Sequence, residues 1–439
     1  TDASWAARAE PRARPGGSWT ALLFLFLLVA FAFLGAAAEW ESGAGFRSQQ
    51  LDVAPGNKTG FTRLTPAAIG IQFTNAIAES RHLTNQILLN GSGVAAGDVD
   101  GDGWCDLYFC GLDGLNSLYR NLGNWKFENI TARAGVACPN LDATGAALAD
   151  LEGDGDLDLI VNSVGGGTHL FSNDGQGRFR EVAQLNESKG GTSLALADID
   201  GDGFLDLYVA NYRTSALMDL PNARATIKMV DGRSTVDRLN GRPVTEPDLV
   251  DRFIVDDRGR VVEQGEVDGL YRNQGGTNFV PVSFTAGAFL DEEGKPLSKP
   301  PFDWGLTVQF RDLNGDGRPD LYVCNDFDSP DRLWLNLGAG RFQAAPRLTL
   351  RKSSMFSMGV DFADINRDGL DDFLVLDMLS RDHRQRLTQM GEPAPPAAVT
   401  SPLEARPQYG LNMLYLNRGD GTFAEVAQLS GLEAAEWSW

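Results

Sequence analysis

Five acidic nonapeptides supply oxygen ligands at the spacing that a calcium ion needs. In each, positions 1, 3 and 5 carry Asp, Asn or Glu, position 6 is Gly and position 9 is Asp. Calcium takes about six to eight oxygen ligands, and alternate side chains of a tight loop converge on one point. The side chains at 1, 3, 5 and 9 and the backbone carbonyl at 7 supply about five or six, and water completes the shell. The pattern predicts up to five Ca²⁺ sites.

The predicted ligands fall in five loops. They are Asp98, Asp100, Asp102, Trp104 and Asp106; Asp150, Glu152, Asp154, Asp156 and Asp158; Asp198, Asp200, Asp202, Phe204 and Asp206; Asp312, Asn314, Asp316, Arg318 and Asp320; and Asp364, Asn366, Asp368, Leu370 and Asp372. The fourth residue of each set contributes its backbone carbonyl. Because the number of charged ligands tunes calcium affinity, Asn314 and Asn366 predict that the fourth and fifth loops bind most weakly.

The alternative is a set of solvated turns, since Asp and Gly are ordinary turn residues. Without a cation, however, two carboxylates about 5 Å apart at an effective dielectric of 20 repel by roughly 3 kcal/mol, and the pattern recurs five times in register. An EF-hand would end on a Glu at position 12 and would be flanked by helices. Here short extended runs such as Leu107–Phe109 and Leu207–Val209 follow the loops. The sites are therefore predicted to join two strands.

A second element recurs after each loop, as an apolar run that ends in Asn and is followed by a Gly-containing turn and a Phe. The five copies are Leu118–Asn121, Leu170–Asn173, Leu270–Asn273, Leu333–Asn336 and Leu414–Asn417. Alternating apolar residues around such a turn indicate a β-hairpin, so each unit has four strands. Repeats of this length and strand number predict an all-β fold, a β-propeller of four-stranded blades.

Two blades carry insertions between their second and third strands, at about 213–268 and 380–409. Because successive turns of an antiparallel meander alternate ends, the calcium loops and the insertions are expected on opposite faces. The first insertion is either a solvated excursion or a lid that contacts a ligand. Trp304 and Phe356, in later blades, are predicted to be core aromatics.

The chain is acidic, with 59 acidic and 38 basic residues and a net charge of −21. The five nonapeptides hold 20 of the acids and two of the Arg residues, which leaves a net charge of −3 for the remainder. The acidity therefore belongs to the ion loops. With no basic patch, nucleic-acid binding is not expected.

Residues 1–39 are predicted to be a signal peptide or a membrane anchor that forms an apolar helix before the propeller, with three Arg residues before an apolar run from Leu22 to Leu34. Residues 40–60 form a linker, and 61–439 form the propeller. The protein is expected outside the cytoplasm, either secreted, periplasmic or anchored at the cell surface, and any membrane contact is expected only through the anchor. Glu436–Trp439 reads as the start of a truncated sixth blade, which indicates a fragment of a longer protein.

The chain resembles the FG-GAP (VCBS) repeat family, of the cartilage acidic protein type that is associated with ASPIC/UnbV modules. The matching stretches are Gly93–Asp98, Asn211–Tyr212, Asn417–Phe423 and Trp437–Trp439. The resemblance covers approximately 61–439. It implies a calcium-stabilised propeller similar to the integrin α-subunit head, seven-bladed in the full protein and incomplete here, whose face opposite the calcium loops meets partners.

Catalytic chemistry has few candidates. The chain has three His residues, and neither a nucleophile elbow nor a pair of zinc ligands is present. The leading hypothesis is a non-enzymatic binding or adhesion scaffold for a protein or glycan partner, with no catalytic residues. The alternative is a carbohydrate-active propeller such as a polysaccharide lyase, for which Arg233, Arg238 or Asp248 would act on a uronate. A third possibility is a structural surface module without a specific ligand.

The four cysteines do not follow a metal-binding spacing. In an oxidising compartment one disulfide is allowed, and Cys110 and Cys138 are the nearest plausible pair. Cys110 and Cys324 occupy equivalent strand positions in different repeats, which favours buried thiols instead.

Overall fold

The computed structural model describes residues 41–43, 46–48 and 62–436, except for 221, 257–258, 328 and 390–405. The predicted signal peptide or anchor, with its apolar helix, lies outside the described residues. The chain divides into two units, 1–63 and 64–439. In the first unit, a short antiparallel hairpin joins β1 (Glu41–Gly43) to β2 (Phe46–Ser48).

The second unit is all-β, and its main sheets are four-stranded, antiparallel blades. The first blade consists of β3 (Val94–Gly97), β4 (Asp106–Phe109), β5 (Ser117–Asn121) and β6 (Phe127–Asn129). The second consists of β7 (Ala143–Ala149), β8 (Asp158–Ser163), β9 (Gly167–Asn173) and β10 (Phe179–Leu185). In both, the acidic loop joins the first strand to the second.

The third blade is interrupted after its second strand. It begins with β11 (Gly191–Ala197) and β12 (Asp206–Asn211). The insertion forms its own sheets from β13 (Ala225–Val230), β14 (Arg233–Leu239), β15 (Arg242–Pro243), β16 (Phe253–Val255) and β17 (Val261–Glu263). The blade then resumes with β18 (Gly269–Asn273), which pairs with β12, and β19 (Phe279–Pro281).

The fourth and fifth blades follow the same order; one extra short strand joins the sheet of the fourth, and two extra short strands near the fifth pair with each other. The fourth has β20 (Phe289–Leu290), β21 (Gly305–Arg311), β22 (Asp320–Asn325), β23 (Arg332–Gly338) and β24 (Arg341–Ala344), with β20 pairing parallel to β24. The region of the fifth has β25 (Ser353–Ser354), β26 (Gly359–Ala363), β27 (Asp372–Leu376), β28 (Gln408–Tyr409), β29 (Met413–Asn417) and β30 (Phe423–Glu425). The predicted four-stranded blades are confirmed.

Helices are short and lie between the strands. They are α1 (Pro66–Ile69), α2 (Glu79–His82), α3 (Thr131–Ala134), α4 (His383–Gln389) and α5 (Ala427–Ser430), with 3₁₀ turns at Gln86–Asn90 and Leu217–Asp219 and a kinked turn at Phe284–Ala288. Within the described residues, no helix has the length and apolar character needed to cross a membrane.

Each blade packs face to face on the next, because the second strand of a blade is apolar on both sides. Tyr208 in β12 packs with Leu321 and Val323 of the fourth blade. Its neighbours Leu207 and Val209 point the other way, into the core shared with the second blade. Successive strand residues point to opposite faces, so one strand contributes to two cores. This arrangement of blades is that of a β-propeller.

From the second blade to the fourth, the first strand of each blade is also hydrogen-bonded to the start of the first strand of the next blade, and residues of these strands line a cavity. The hydroxyl of Thr144 donates to Gly191 O at 2.8 Å, that of Thr192 to Gly305 O at 2.8 Å, and that of Thr307 to Met358 O at 2.8 Å. The cavity has a volume of about 590 Å³. These hydrogen bonds connect the second, third, fourth and fifth blades in series.

Trp304 is a core aromatic, as predicted. It is 6% exposed, and its ring lies 4.6 Å from that of Tyr212, centroid to centroid. Phe356 is half-buried and packs edge-on against Phe327.

The allowed disulfide between Cys110 and Cys138 is absent, because all four cysteines, which lie in the described part of the chain, are free. The sulfur of Cys138 instead lies 3.7 Å from the hydroxyl of Tyr108. Cys110 and Cys324 are buried thiols, in agreement with the other expectation for them.

Candidate metal centre

The acidic loops are shaped by hydrogen bonds between their own side chains and backbone. The carboxylate at position 1 accepts from the N–H of the position-6 glycine, as from Gly103 to Asp98 at 2.8 Å and from Gly155 to Asp150 at 2.9 Å. Gly103 has a φ of +86° and Gly155 one of +95°, a conformation that glycine adopts without a steric penalty. The same bond recurs in the other three loops.

The position-9 aspartates are buried and connect two parts of each blade. Asp106 is 0% exposed; its Oδ2 accepts from Val99 N at 2.9 Å and its Oδ1 from Asn121 N at 2.7 Å. In the third blade, Asp206 does the same with Ile199 N at 3.0 Å and Asn273 N at 2.8 Å. The carboxylate thus joins the loop to the third strand, while further lone pairs remain available for a cation.

From the second blade to the fifth, the Asn at or near the end of the third strand contacts the acidic loop of the preceding blade as well as its own. The Nδ2 of Asn173 donates to Leu157 O of its own loop at 3.0 Å and to Val99 O of the preceding blade's loop at 2.8 Å. The cross-blade bond recurs from Asn273 to Leu151 O, from Asn336 to Ile199 O and from Asn417 to Leu313 O. The sequence marked these residues only as hairpin ends.

In the first and third loops, three carboxylates converge. The ligand oxygens of Asp98, Asp100 and Asp106 lie within 4.8 Å of one another, as do those of Asp198, Asp200 and Asp206. In both loops the position-3 carboxylate has a buried oxygen, Oδ1 of Asp100 and Oδ1 of Asp200, that has no hydrogen-bond partner. A buried, unpartnered carboxylate oxygen is costly, and an oxygen-rich site of this kind fits a hard cation such as calcium.

The other three loops place their predicted ligands differently. Among the described residues, acidic side chains of these loops form no comparable convergent group. In the second loop Glu152 replaces Asp, and its buried Oε2 has no hydrogen-bond partner. In the fifth, the Nδ2 of Asn366 donates to Asp368 at 2.8 Å, so an uncharged amide takes the place of the carboxylate. The fourth loop has Asn314 at this position.

The remaining predicted ligands line the outer part of the loops. The position-5 carboxylate accepts from the N–H of position 7, in the pairs Asp102–Trp104, Asp154–Asp156, Asp202–Phe204, Asp316–Arg318 and Asp368–Leu370. The loops around Asp312, Asp320, Asp364 and Asp372 repeat the bonds of the first loop.

Burial raises the pKa of the position-9 carboxyls in the first four loops. The pKa of Asp158 rises to about 7, with the nearby Glu152 adding to the effect of desolvation, and those of Asp206 and Asp320 rise to about 6. Desolvation penalises the charged form, and neighbouring carboxylates raise the pKa further. A bound cation would reverse this by favouring the ionised carboxylates.

The opposite ends of the blades hold buried carboxylates that the sequence did not single out. Asp268 accepts from the hydroxyl of Tyr208 at 2.7 Å and from Asn211 N at 2.7 Å. Asp331 repeats this arrangement with Tyr322 and Asn325. The third strand begins beside each acid, so these bonds hold the end of the blade from which insertions leave.

The residues named for lyase chemistry lie on the exposed first insertion. The side chain of Arg238 donates to Gly241 O at 2.7 Å and lies 3.8 Å from Asp237, and Asp248 pairs with Arg242 at 2.6 Å. Arg233 begins β14, which pairs with β13. The described contacts of Arg238 and Asp248 are thus with other residues of the insertion.

Comparison with known proteins identifies the repeats. A model of FG-GAP-like repeats matches residues 98–161, 150–209 and 312–375. Cartilage acidic protein 1 of Mus musculus is 34% identical over 96 residues, which are 21% of this chain and 15% of the mouse protein. The Homo sapiens protein is 33% identical over 96 residues, 21% of this chain and 14% of the human protein.

Two solved structures resemble the chain only loosely. One is of an Agrocybe aegerita lectin, with 16% identity, a TM-score of 0.32 and coverage of 75% of this chain and 77% of the lectin. The other is the V. cholerae biofilm matrix protein Bap1, with 18% identity, a TM-score of 0.24 and coverage of 64% and 36%. The match to the repeat model and the four-stranded sheets show that the chain carries FG-GAP-like repeats, arranged as blades of a β-propeller, and a stretch of 96 residues is similar to cartilage acidic protein 1.

Proposed function

We propose that this chain is an exported, calcium-binding β-propeller that acts as a non-enzymatic scaffold for a protein or glycan partner. The observation that carries the calcium assignment is the convergence of Asp98, Asp100 and Asp106, repeated at Asp198, Asp200 and Asp206. A bound Ca²⁺ would neutralise these carboxylates and link the loop to the start of the second strand. Export suits such loops, because extracellular calcium supports sites of about 10⁻⁴ to 10⁻³ M affinity.

The partner surface is assigned to the face opposite the calcium loops. Binding residues tend to lie on loops held by a rigid scaffold, and the first insertion leaves the third blade at that end. Its strand β13 is an edge strand with exposed apolar side chains; Ile227, Met229 and Val230 are 47%, 65% and 43% exposed. An uncovered edge strand of this kind is a template for association.

Calorimetric titration of chelator-treated protein with CaCl₂ tests the metal assignment. We expect heat of binding and a higher melting temperature in calcium, because a ligand bound only by the folded state adds to stability. The variant D100N/D200N removes one convergent carboxylate from each of two loops and should lower the stoichiometry or weaken the affinity. The metal assignment would be refuted if the titration gave no binding heat and the protein melted at the same temperature in calcium and in chelator.

The partner assignment needs a separate experiment. Glycan and protein arrays are probed with the wild-type chain and with the variant I227S/M229S/V230S, whose changes lie on an exposed strand. We expect a signal that the variant loses while it keeps its calcium-dependent melting. An assay for unsaturated uronate products runs in parallel, and product formation would replace the scaffold with the lyase alternative.

A further inference from the structure

The residue just before the recurring hairpin Asn differs between blades, and the difference follows the residue at position 3 of the acidic loop in the same blade. It is Arg120 in the first blade, Ser172 in the second, Arg272 in the third, Leu335 in the fourth and Leu416 in the fifth. The hairpin residue is Arg in the two blades whose loop has Asp at position 3. It is Ser in the blade whose loop has Glu there, and Leu in the two blades whose loop has Asn there. A positively charged hairpin residue is therefore present in the blades whose loop has Asp at position 3.

The two arginines contact the acidic loops directly. The Nε of Arg120 lies 2.5 Å from Asp100 Oδ2, and its Nη2 lies 2.9 Å from Asp102 Oδ2. Arg272 forms an ion pair with Asp200 through its Nη2. In both loops the arginine engages one oxygen of the position-3 carboxylate, while the other oxygen, Oδ1, is buried without a hydrogen-bond partner.

The second loop has no such cation. Ser172 donates its hydroxyl to Glu152 Oε1 at 3.1 Å, and a hydroxyl does not offset the charge of the loop. Asp150, Glu152, Asp154 and Asp158 supply four acidic ligands, as many as in the first or third loop. Within the described part of the chain, the arginine pair seen in those two loops has no counterpart here, because the hairpin residue is Ser172. The second loop therefore equals its two neighbours in the number of ligand carboxylates and differs from them in two ways. It has Ser172 in place of the arginine, and its position-3 ligand is the longer Glu152.

We propose that Arg120 and Arg272 are resident counter-cations that weaken calcium binding at the first and third loops, so that the loop at Asp150 fills first. The inference rests on the proposed calcium function. Two effects act in the same direction: the guanidinium relieves carboxylate repulsion in the ion-free loop, and it repels a divalent ion once that ion arrives. The arginines are positioning residues rather than ligands.

The test replaces each arginine with the residue that the fourth and fifth blades carry at the same place. In the variant R120L/R272L we expect about tenfold tighter calcium binding at two sites, the change for removing one unit charge beside a divalent ion in a solvent-screened site. The chelator-treated variant should melt at a lower temperature than the wild type, because its ion-free loops lose their counter-cation. Calcium-buffered titration and thermal melting measure the two effects.

The matched variant S172R adds the cation to the second loop and should weaken the tightest site by a similar factor. If R120L/R272L binds calcium more weakly than the wild type, the arginines orient the carboxylates for the ion, and the inference is overturned. Unchanged affinities in both variants overturn it as well. Absence of calcium binding in the wild type would instead overturn the proposed function, so the two failures are distinct.

Discussion

Asn173 donates its side-chain Nδ2 to the backbone carbonyl of Val99, 2.8 Å away, across the boundary between the first and second blades. Val99 is the second residue of the first acidic loop. The same hydrogen bond joins the second loop to the third blade, the third loop to the fourth blade and the fourth loop to the fifth blade. Each of these loops is therefore held partly by the blade that follows it.

Replacing Asn173 with Ala should lower the free energy of unfolding by about 1–3 kcal/mol, because buried carbonyls of two blades lose their donor. Urea denaturation in calcium measures the loss. N121A is the matched control, since the Nδ2 of Asn121 donates to Cys105 O of its own loop and its Oδ1 accepts from Gly123 N of its own hairpin. Equal losses in the two variants would contradict a role for the cross-blade bond.

The position-9 aspartates should matter even without metal. D206A leaves the buried N–H groups of Ile199 and Asn273 without their acceptor, and we expect it to lower stability by about 2–5 kcal/mol in chelator. D202A, in the exposed part of the same loop, should change the chelated stability by less than about 0.5 kcal/mol. Chemical denaturation of both variants in chelator provides the comparison. If D206A were as stable as the wild type in chelator, Asp206 would act only as a metal ligand.

The buried acids opposite the loops predict a pH dependence. Burial raises the pKa of Asp268 to about 7 and that of Asp331 to about 6. A pKa raised above the unfolded value means that the contribution to stability is complete below about pH 4 and is lost as the pH rises through 6 to 7. In chelator, the contribution of Asp268 and Asp331 to the free energy of unfolding should therefore fall between pH 5 and pH 8.

The variant D268N isolates one group, and Asn is native to the equivalent place in the first blade, where Asn116 accepts from Gly111 N. We expect the fall in stability between pH 5 and pH 8 to shrink by about 1–3 kcal/mol relative to the wild type. Melting curves across this range measure it. An identical pH profile in the variant would mean that Asp268 does not titrate in this window.

A buried ion pair joins Asp303 to Arg332 through two contacts of 2.7 Å. D303N removes a negative charge from beside the buried guanidinium of Arg332, which should cost about 3–5 kcal/mol. The double variant D303L/R332M removes both charges and should recover much of the loss, as measured by urea denaturation. If the double variant were the less stable of the two, the pair itself would be a net source of stability.

The loops and the four-stranded blades were predictable because their signals are local. Asp, Asn and Gly at fixed offsets specify a turn, and alternating apolar residues specify the strands beside it. Contacts between distant segments carried no such signal. The bond from Tyr208 to Asp268 spans the whole first insertion, and the pairing of Arg120 with Asp100 depends on the register of three strands.

The two long excursions leave their blades at the end remote from the acidic loops, between the second and third strands. A segment added or removed between the second and third strands moves none of the predicted ion ligands. It also leaves the cross-blade hydrogen bonds of the asparagines in place. The segments at this end can therefore vary in length and sequence without disturbing the half of each repeat that contains the acidic loop.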